Sequence, residues 1–155
     1  MEQKIKSFQV DHDFIVPGIY VSRIDGDIIT YDLRTRKPNC GDYMDHLTMH
    51  SVEHMFATYI RFSPLGEKII YFGPMGCQTG FYLLVRNMEN QEVLSLVRDT
   101  LEKILAHEGE VFGVSRKECG NYRNLDLESA KRECRQYLKA LQDWRDFSYK
   151  KGEEA

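Results

Sequence analysis

An Asp-Gly pair between two β-rich runs most strongly constrains how this chain folds. Residues 19–35 read IYVSRIDGDIITYDLRT, with Asp25-Gly26 near the centre. Asp-Gly is favoured in two-residue hairpin turns, because both central positions need a positive φ that Gly and Asp tolerate better than most residues. The sequence therefore predicts an antiparallel hairpin early in the chain.

Apolar periodicity predicts the remaining elements. Residues 69–72 and 81–86 form short β-rich runs on either side of the Gly-rich turn GPMGCQTG. Helical patterns with one apolar stripe cover about residues 46–62, 90–107 and 127–147. We therefore expect an α+β fold, with a mainly antiparallel sheet of about four strands packed against helices.

Length and charge limit the class of protein. A chain of 155 residues suits one core, so we expect a single domain over residues 1–155, with a frayed tail from residue 150. A net charge of −3 argues against nucleic-acid binding, which normally requires a basic face. The sequence has neither an apolar run long enough to span a membrane nor a signal-peptide core at its start. These features predict a cytoplasmic protein that binds neither nucleic acid nor membranes.

The most distinctive local pattern is a histidine pair on the first long helix. His50 and His54 stand four residues apart in HSVEH, so their side chains lie about 40° apart around the helix. Two imidazoles one turn apart suit joint coordination of one metal ion. The alternative is a pair of solvent-facing histidines, but the adjacent Glu53 and the small Ala57 favour coordination.

A third ligand has to come from elsewhere in the chain. Catalytic sites of this type use three protein ligands and keep one position open. Since the other histidines show no suitable spacing, we expect a cysteine or a carboxylate. Cys119, beside Gly120, and Cys77, in the Gly-rich turn, both stand in predicted loops. Cys134 falls on the apolar face of the last helix and is interpreted as core, whereas Cys40 has no informative context.

Five segments resemble motifs of one known family, the S-ribosylhomocysteine lyases (LuxS family). HSVEH at 50–54 resembles its metal-binding helix, and PMGCQTGFY at 74–82 resembles its catalytic-cysteine loop. Cys-Gly at 119–120 is similar to its third metal ligand, SFQVDH at 7–12 to its substrate-binding segment, and YDLR at 31–34 to its arginine strand. The segments occur in the family's order.

The resemblance implies an activity and an assembly. The family cleaves S-ribosylhomocysteine to homocysteine and 4,5-dihydroxy-2,3-pentanedione, the precursor of the quorum-sensing signal autoinducer-2. The reaction proceeds by successive carbonyl shifts and a β-elimination. The family is homodimeric, with its sites at the interface, and uses Fe2+, for which Zn2+ or Co2+ can substitute.

The resemblance also implies a role for each matching side chain. Arg34 would bind the homocysteine carboxylate, and the N-terminal arm would complete the site of the partner subunit. The implied metal ligands are His50, His54 and Cys119, the catalytic residues are Cys77 and Glu53, and the substrate-binding residues are Ser7, His12 and Arg34.

The sequence departs from the family pattern at two positions, and two other functions remain as alternatives. Ser51 replaces the usual Thr, and Tyr71 stands where many members have an acidic residue in IIDISPMGC. A metalloprotease is one alternative, because H-x-x-E-H also occurs in that class, but it gives PMGCQTGFY no role. A non-enzymatic metal-binding domain is another, and it would need neither Cys77 nor Glu53.

Overall fold

The structure, a computed structural model, describes residues 3–150. Met1, Glu2 and residues 151–155 lie outside the described part. The frayed tail and the outer limits of the predicted domain therefore fall largely outside it. No helix among the described residues is both long and apolar enough to cross a membrane.

A four-stranded antiparallel sheet forms one layer of the molecule. Its strands are β1 (Gly18–Asp25), β2 (Ile28–Arg34), β3 (Ile69–Pro74) and β4 (Gly80–Arg86), in the order β1-β2-β4-β3. The predicted hairpin is confirmed as β1–β2, but its turn lies one residue later than predicted. Asp25 pairs with Ile28, so the two-residue loop is Gly26-Asp27, and of these two residues only Gly26 has a positive φ, of 63°. The α+β prediction is confirmed.

Helices form the second layer. A short N-terminal helix, α1 (Lys6–Gln9), precedes the sheet, and three long helices follow: α2 (His46–Arg61), α3 (Asn90–Ala106) and α4 (Leu127–Ala140). Two single 3-10 turns, His12–Phe14 and Gly66–Lys68, lie in the connections. The sheet and the long helices enclose one core, which includes Ile19, Tyr31, Leu33, Met55, Phe56, Phe81, Leu83, Val97, Leu101 and Cys134.

The helix that carries the histidine pair begins at a strong capping residue. The Asp45 side chain accepts a hydrogen bond from the Thr48 amide at 2.8 Å, which satisfies one of the free donors of the first turn. Side-chain and backbone hydrogen bonds from Thr48 lower the pKa of the Asp45 carboxyl. The cap sets where α2 begins and therefore which residues face the candidate site.

The prediction that the last helix reaches residue 147 is wrong, because α4 ends at Ala140. The Arg98 guanidinium donates to the carbonyls of Leu141 and Gln142, which satisfies acceptors that the helix end leaves free. The chain then turns back onto β1, where the Trp144 indole donates to the Ile19 carbonyl at 2.8 Å. Apolar spacing beyond Ala140 reflects this packing and not a continued helix.

The sheet face away from the long helices carries a polar row across all four strands. Tyr20 pairs with Asp32, Asp32 with Tyr82, and Tyr82 with Gly73. Directly paired residues project from the same face of a sheet, so their side chains are neighbours. Tyr149 from the C-terminal segment stacks on Tyr20, with ring centroids 4.9 Å apart. The C-terminal segment therefore covers part of this outer face.

Candidate active site

Helix α2 and a loop bring three potential metal ligands together. The rings of His50 and His54 lie one helical turn apart on α2 and meet edge to face, with centroids 4.6 Å apart. The Cys119 sulfur reaches them from the loop before α4 and lies 3.3 Å from His50 Nε2. One ligand atom from each residue lies within 4.8 Å of the other two. This group could hold a metal ion, and it contains Cys119 and not Cys77.

Backbone carbonyls orient both imidazoles. His50 Nδ1 lies 2.7 Å from the Asn124 carbonyl oxygen, and His54 Nδ1 lies 2.7 Å from that of Phe112. A carbonyl can only accept, so each Nδ1 donates and each Nε2 keeps a lone pair for a metal. The Asn121 amide donates to the Cys119 sulfur at 3.4 Å. Each of the three potential ligands is therefore held by a backbone group outside the cluster.

The loop that supplies the Phe112 carbonyl is held by an aromatic cluster. The Phe112 ring packs edge-on against Tyr59 and His107, with centroids 5.1 and 4.8 Å apart. His107 bridges the Tyr59 hydroxyl and the Glu110 carbonyl at 2.7 and 2.8 Å. No local sequence pattern signals this role of His107, because its partner Tyr59 lies 48 residues away.

A glycine lets this loop approach the second ligand closely. Gly113 has a φ of 70°, and a Cβ built there would lie 3.0 Å from His54 Nδ1. Any larger residue would press on the imidazole and strain the backbone. Glu53, next to His54 in sequence, is half-buried on the same helix.

The second cluster surrounds Cys77 in the turn between β3 and β4. The Cys77 side chain is exposed, and its sulfur lies 3.0 Å from the Thr79 hydroxyl and 4.0 Å from Arg34 Nη1. Gln78 adopts a φ of 66°, and its backbone amide donates to the Met75 carbonyl at 3.1 Å. This hydrogen bond closes the turn that carries the thiol. The exposed thiol therefore lies beside a hydroxyl and a guanidinium.

Arg34 is buried and bonded on several sides. Only 3% of its side chain is exposed, and its Nε and Nη2 donate to Asp32 at 3.1 and 2.6 Å. Its Nη1 donates to the Thr79 hydroxyl at 2.8 Å. The guanidinium is therefore held in place beside the Cys77 sulfur. Its predicted contact with a substrate carboxylate stays a prediction.

Of the two N-terminal candidates, only Ser7 lines a groove on the outer face of the sheet. Ser7 lines a groove of about 320 Å³ together with Tyr71 and Tyr82. Burial raises the pKa of the Tyr82 phenol. His12 is half-buried, and its Nδ1 lies 2.9 Å from the Val10 carbonyl. The structure thus brings Ser7 and Tyr71 to one groove.

Tyr71, the residue that departs from the family pattern, lies over a glycine. Half of the residue is exposed, and a Cβ built on Gly73 would lie 2.1 Å from the Tyr71 hydroxyl oxygen. The phenol therefore occupies the space where a side chain at residue 73 would stand. The two positions form one structural unit.

Comparison with known proteins agrees with the motifs. The profile of the family described as S-Ribosylhomocysteinase (LuxS) matches residues 5–148. An S-ribosylhomocysteine lyase from Finegoldia magna is 43% identical over 143 residues, which cover 89% of this chain and 91% of that protein. Proteins of the same name from Borreliella afzelii and Phocaeicola vulgatus are 40% and 41% identical, over 96% and 86% of this chain and 98% and 87% of theirs. The resemblance is confirmed: this chain belongs to the S-ribosylhomocysteinase (LuxS) family.

Proposed function

We propose that this protein is a metal-dependent carbon–sulfur lyase that cleaves S-ribosylhomocysteine to homocysteine and 4,5-dihydroxy-2,3-pentanedione, the autoinducer-2 precursor. One observation carries the proposal. In a member of this family, ligand atoms of His50, His54 and Cys119 lie within 4.8 Å of one another. A metalloprotease reading of HSVEH gives no role to the Cys77 cluster, which lies in the matched region.

The donor set fits a catalytic divalent ion. Two imidazoles and a thiolate are three protein ligands, which leaves a coordination position for substrate. We propose Fe2+ as the resident ion, with Zn2+ or Co2+ able to substitute, because imidazole and thiolate suit all three. When bound, such an ion supplies a Lewis acid that stabilises negative charge developing on sugar oxygens.

Cys77 moves protons between neighbouring carbons of the ribose. Its thiolate takes a proton from the carbon next to a carbonyl, and the resulting thiol returns a proton to the adjacent carbon, which shifts the carbonyl by one position. The Arg34 guanidinium, 4.0 Å from the sulfur, favours the thiolate between these steps. Thr79, 3.0 Å from the sulfur, can donate a hydrogen bond to it.

Glu53 moves protons at the heteroatoms. It is half-buried and directly precedes the ligand His54 in sequence. Its proposed role is to exchange protons with the oxygens that change protonation. In the last step a base removes a proton next to the carbonyl, the bond between carbon and sulfur breaks, and the departing sulfur takes a proton to give homocysteine. Ser7, His12 and Arg34 bind the substrate in this scheme.

We propose that the working unit is a homodimer with its sites at the interface. Within one chain the Cys77 sulfur is not among the ligand atoms that lie within 4.8 Å of one another. Large apolar side chains of the N-terminal segment are exposed, with Ile5 63% and Phe8 67% accessible. Pairing two copies would cover this segment and set one chain's Cys77 opposite the other's metal group.

The free cysteines favour a reducing compartment. All four cysteines are free, and Cys77 and Cys40 are exposed. Exposed thiols persist as thiols in the cytoplasm, where disulfides are rare. We therefore place the protein in the cytoplasm, with a small-molecule substrate and no nucleic-acid or membrane partner.

Incubation of the metal-loaded protein with S-ribosylhomocysteine tests the activity. A thiol reagent should detect homocysteine release by the parent protein and none by the Cys77→Ala variant. Failure of the fully metal-loaded parent to release homocysteine would refute the proposed function.

Subunit mixing tests the interface. Under random exchange, an equal mixture of inactive His54→Ala and Cys77→Ala proteins should recover about a quarter of the parent's activity, because half of the dimers then hold one intact site. Arg34→Ala mixed with Cys77→Ala is the matched control. Both changes damage the same cluster, so this pair should recover nothing. Recovery by the control pair, or none by the first pair after proven exchange, would contradict the shared site.

A further inference from the structure

The C-terminal segment reaches the buried ion pair behind the Cys77 cluster. The Tyr149 hydroxyl donates to Asp32 Oδ2 at 2.7 Å, a contact between residues 117 positions apart. Stacking on Tyr20 fixes the plane of the Tyr149 ring, with an interplanar angle of 12°. The Val21 amide donates to the Phe147 carbonyl at 2.7 Å, which ties the same segment to β1. Backbone and ring contacts therefore hold the Tyr149 hydroxyl in position to donate to Asp32.

Asp32 depends on the donors around it. Only 1% of its side chain is exposed, and its two oxygens accept from Arg34 Nε, Arg34 Nη2 and the Tyr149 hydroxyl. A buried carboxylate that loses a donor keeps the cost of its removal from water without the compensating bond. It then draws more strongly on the donors that remain, and here those belong to Arg34.

Asp32 and Cys77 compete for one guanidinium. Arg34 donates to Asp32 at 2.6 Å on one side and lies 4.0 Å from the Cys77 sulfur on the other. The titratable groups that act on Cys77 are Arg34 from β2 and Tyr82 from β4, with Asp32 and Tyr149 behind Arg34. The Tyr149 hydroxyl, which donates to Asp32 from the side away from Arg34, offsets part of the negative charge of Asp32. The positive charge of Arg34 then acts more strongly on the Cys77 sulfur.

We infer that Tyr149 is a positioning residue whose hydroxyl holds Asp32, and through it Arg34, in the arrangement that favours the Cys77 thiolate. The inference rests on the role proposed for Cys77 in the lyase reaction. Burial raises the pKa of the Tyr149 phenol, so the hydroxyl keeps its proton and remains a donor at any pH at which the protein is folded and active. The C-terminal segment thus acts on a reactive sulfur that it does not touch.

The Tyr149→Phe variant tests the inference, since it keeps the ring stacked on Tyr20 and removes only the hydroxyl. The metal-loaded protein is treated with iodoacetamide over a range of pH, and alkylation of Cys77 is followed by peptide mass spectrometry. Both variant and parent carry Cys40→Ser, which removes the other exposed thiol.

The expected result is a rise in the apparent pKa of Cys77. Weaker support of the thiolate should slow alkylation about two- to threefold below that pKa, as a shift of a few tenths of a unit requires. The rate at alkaline pH, where the thiol is fully ionised in both proteins, should not change. A lower alkaline rate with an unmoved pKa would mean altered access to Cys77 and would overturn the inference.

Tyr137→Phe provides the matched control. This buried phenol donates to the Gly18 carbonyl at 2.8 Å, so the change removes the same atom near the same strand without breaking a bond to Asp32. The pKa of Cys77 should stay at the parent value. An equal shift in both variants, or none in Tyr149→Phe, would refute the inference. Alkylation needs no substrate, so a shift in a protein without lyase activity would refute the proposed function and leave this inference standing.

Discussion

Cys77 and Cys119 both stand in loops beside glycine, yet the fold holds them in different ways. The Cys77 turn is bonded to the sheet at several points: the Met75 amide donates to the Gly80 carbonyl, and the amides of Thr35 and Arg36 donate to the Thr79 carbonyl, all at 2.9 to 3.0 Å. The two nearest backbone bonds at Cys119 are local, from the amides of Glu118 and Cys119 to the Ser115 carbonyl.

The difference lies in what positions each cysteine. The sheet places the Cys77 thiol beside Arg34 whether or not a metal is bound. Cys119 lies in a stretch between α3 and α4 that contains no regular helix or strand. Its place depends on contacts with α2, among them its own sulfur beside His50. We therefore expect the metal ion to stabilise the Cys119 loop and to leave the Cys77 turn almost unaffected.

Alanine at each cysteine should give the largest effects and separate the two roles. Cys77→Ala should lower lyase activity by about a thousandfold, the scale of a missing proton-transfer group, and keep the metal content of the parent. Cys119→Ala should lose both activity and metal, because two imidazoles rarely hold a catalytic ion. Metal analysis alongside turnover measures both. If Cys77→Ala lost its metal and Cys119→Ala retained it, the assigned roles would be reversed.

Gly113→Ala should weaken metal binding by about ten- to a hundredfold, the usual effect of disturbing a partner of a ligand. The new Cβ would lie 3.0 Å from His54 Nδ1 and push the Phe112 carbonyl away from it. Competition with a chelator measures the affinity. Gly109→Ala is the control, because Gly109 also has a positive φ, of 102°, but no atom lies within 4 Å of its Cβ position. Equal losses in both would point to loop strain instead of contact with the ligand.

Removal of the metal should speed hydrogen exchange in one loop only. In the chelated protein, amides of residues 113–121 should exchange about tenfold faster, since local opening is easier where tertiary anchors are few. Amides of residues 75–80 should keep their rates. Exchange measured by mass spectrometry in both forms tests this. A similar rise in both segments would contradict the expectation that the metal stabilises only the Cys119 loop.

Cys134→Ala should have the smallest effect and none on function. Cys134 is 1% exposed in the core, so losing its sulfur should lower the free energy of unfolding by about 1 kcal/mol. Cys40→Ala is the exposed control and should change it by less than about 0.5 kcal/mol. Denaturant unfolding measures both values. Loss of metal in Cys134→Ala would mean that this cysteine supports the site after all.

Local patterns predict most of the scaffold, and tertiary contacts decide the rest. Helix α2 begins where the sequence indicates, because Asp45 is a capping residue followed by an apolar stripe. Helix α4 ends earlier than predicted, and Arg98, far away in sequence, binds the carbonyls of Leu141 and Gln142 just past its end. The spacing of His50 and His54 predicts a shared ligand face, but from the residues alone either Cys77 or Cys119 could be the third ligand. Only the folded chain brings the Cys119 sulfur to α2.

The contact between Tyr71 and Gly73 links the side chains that these two positions can carry. The family pattern that this sequence resembles, IIDISPMGC, has an acidic residue and a serine there. A Cβ at residue 73 would lie 2.1 Å from the Tyr71 hydroxyl oxygen. Since Tyr71 is half exposed, a serine at 73 would turn the ring out into solvent, whereas glycine lets it lie along the strand. We therefore expect tyrosine at 71 to occur with glycine at 73 more often than with serine.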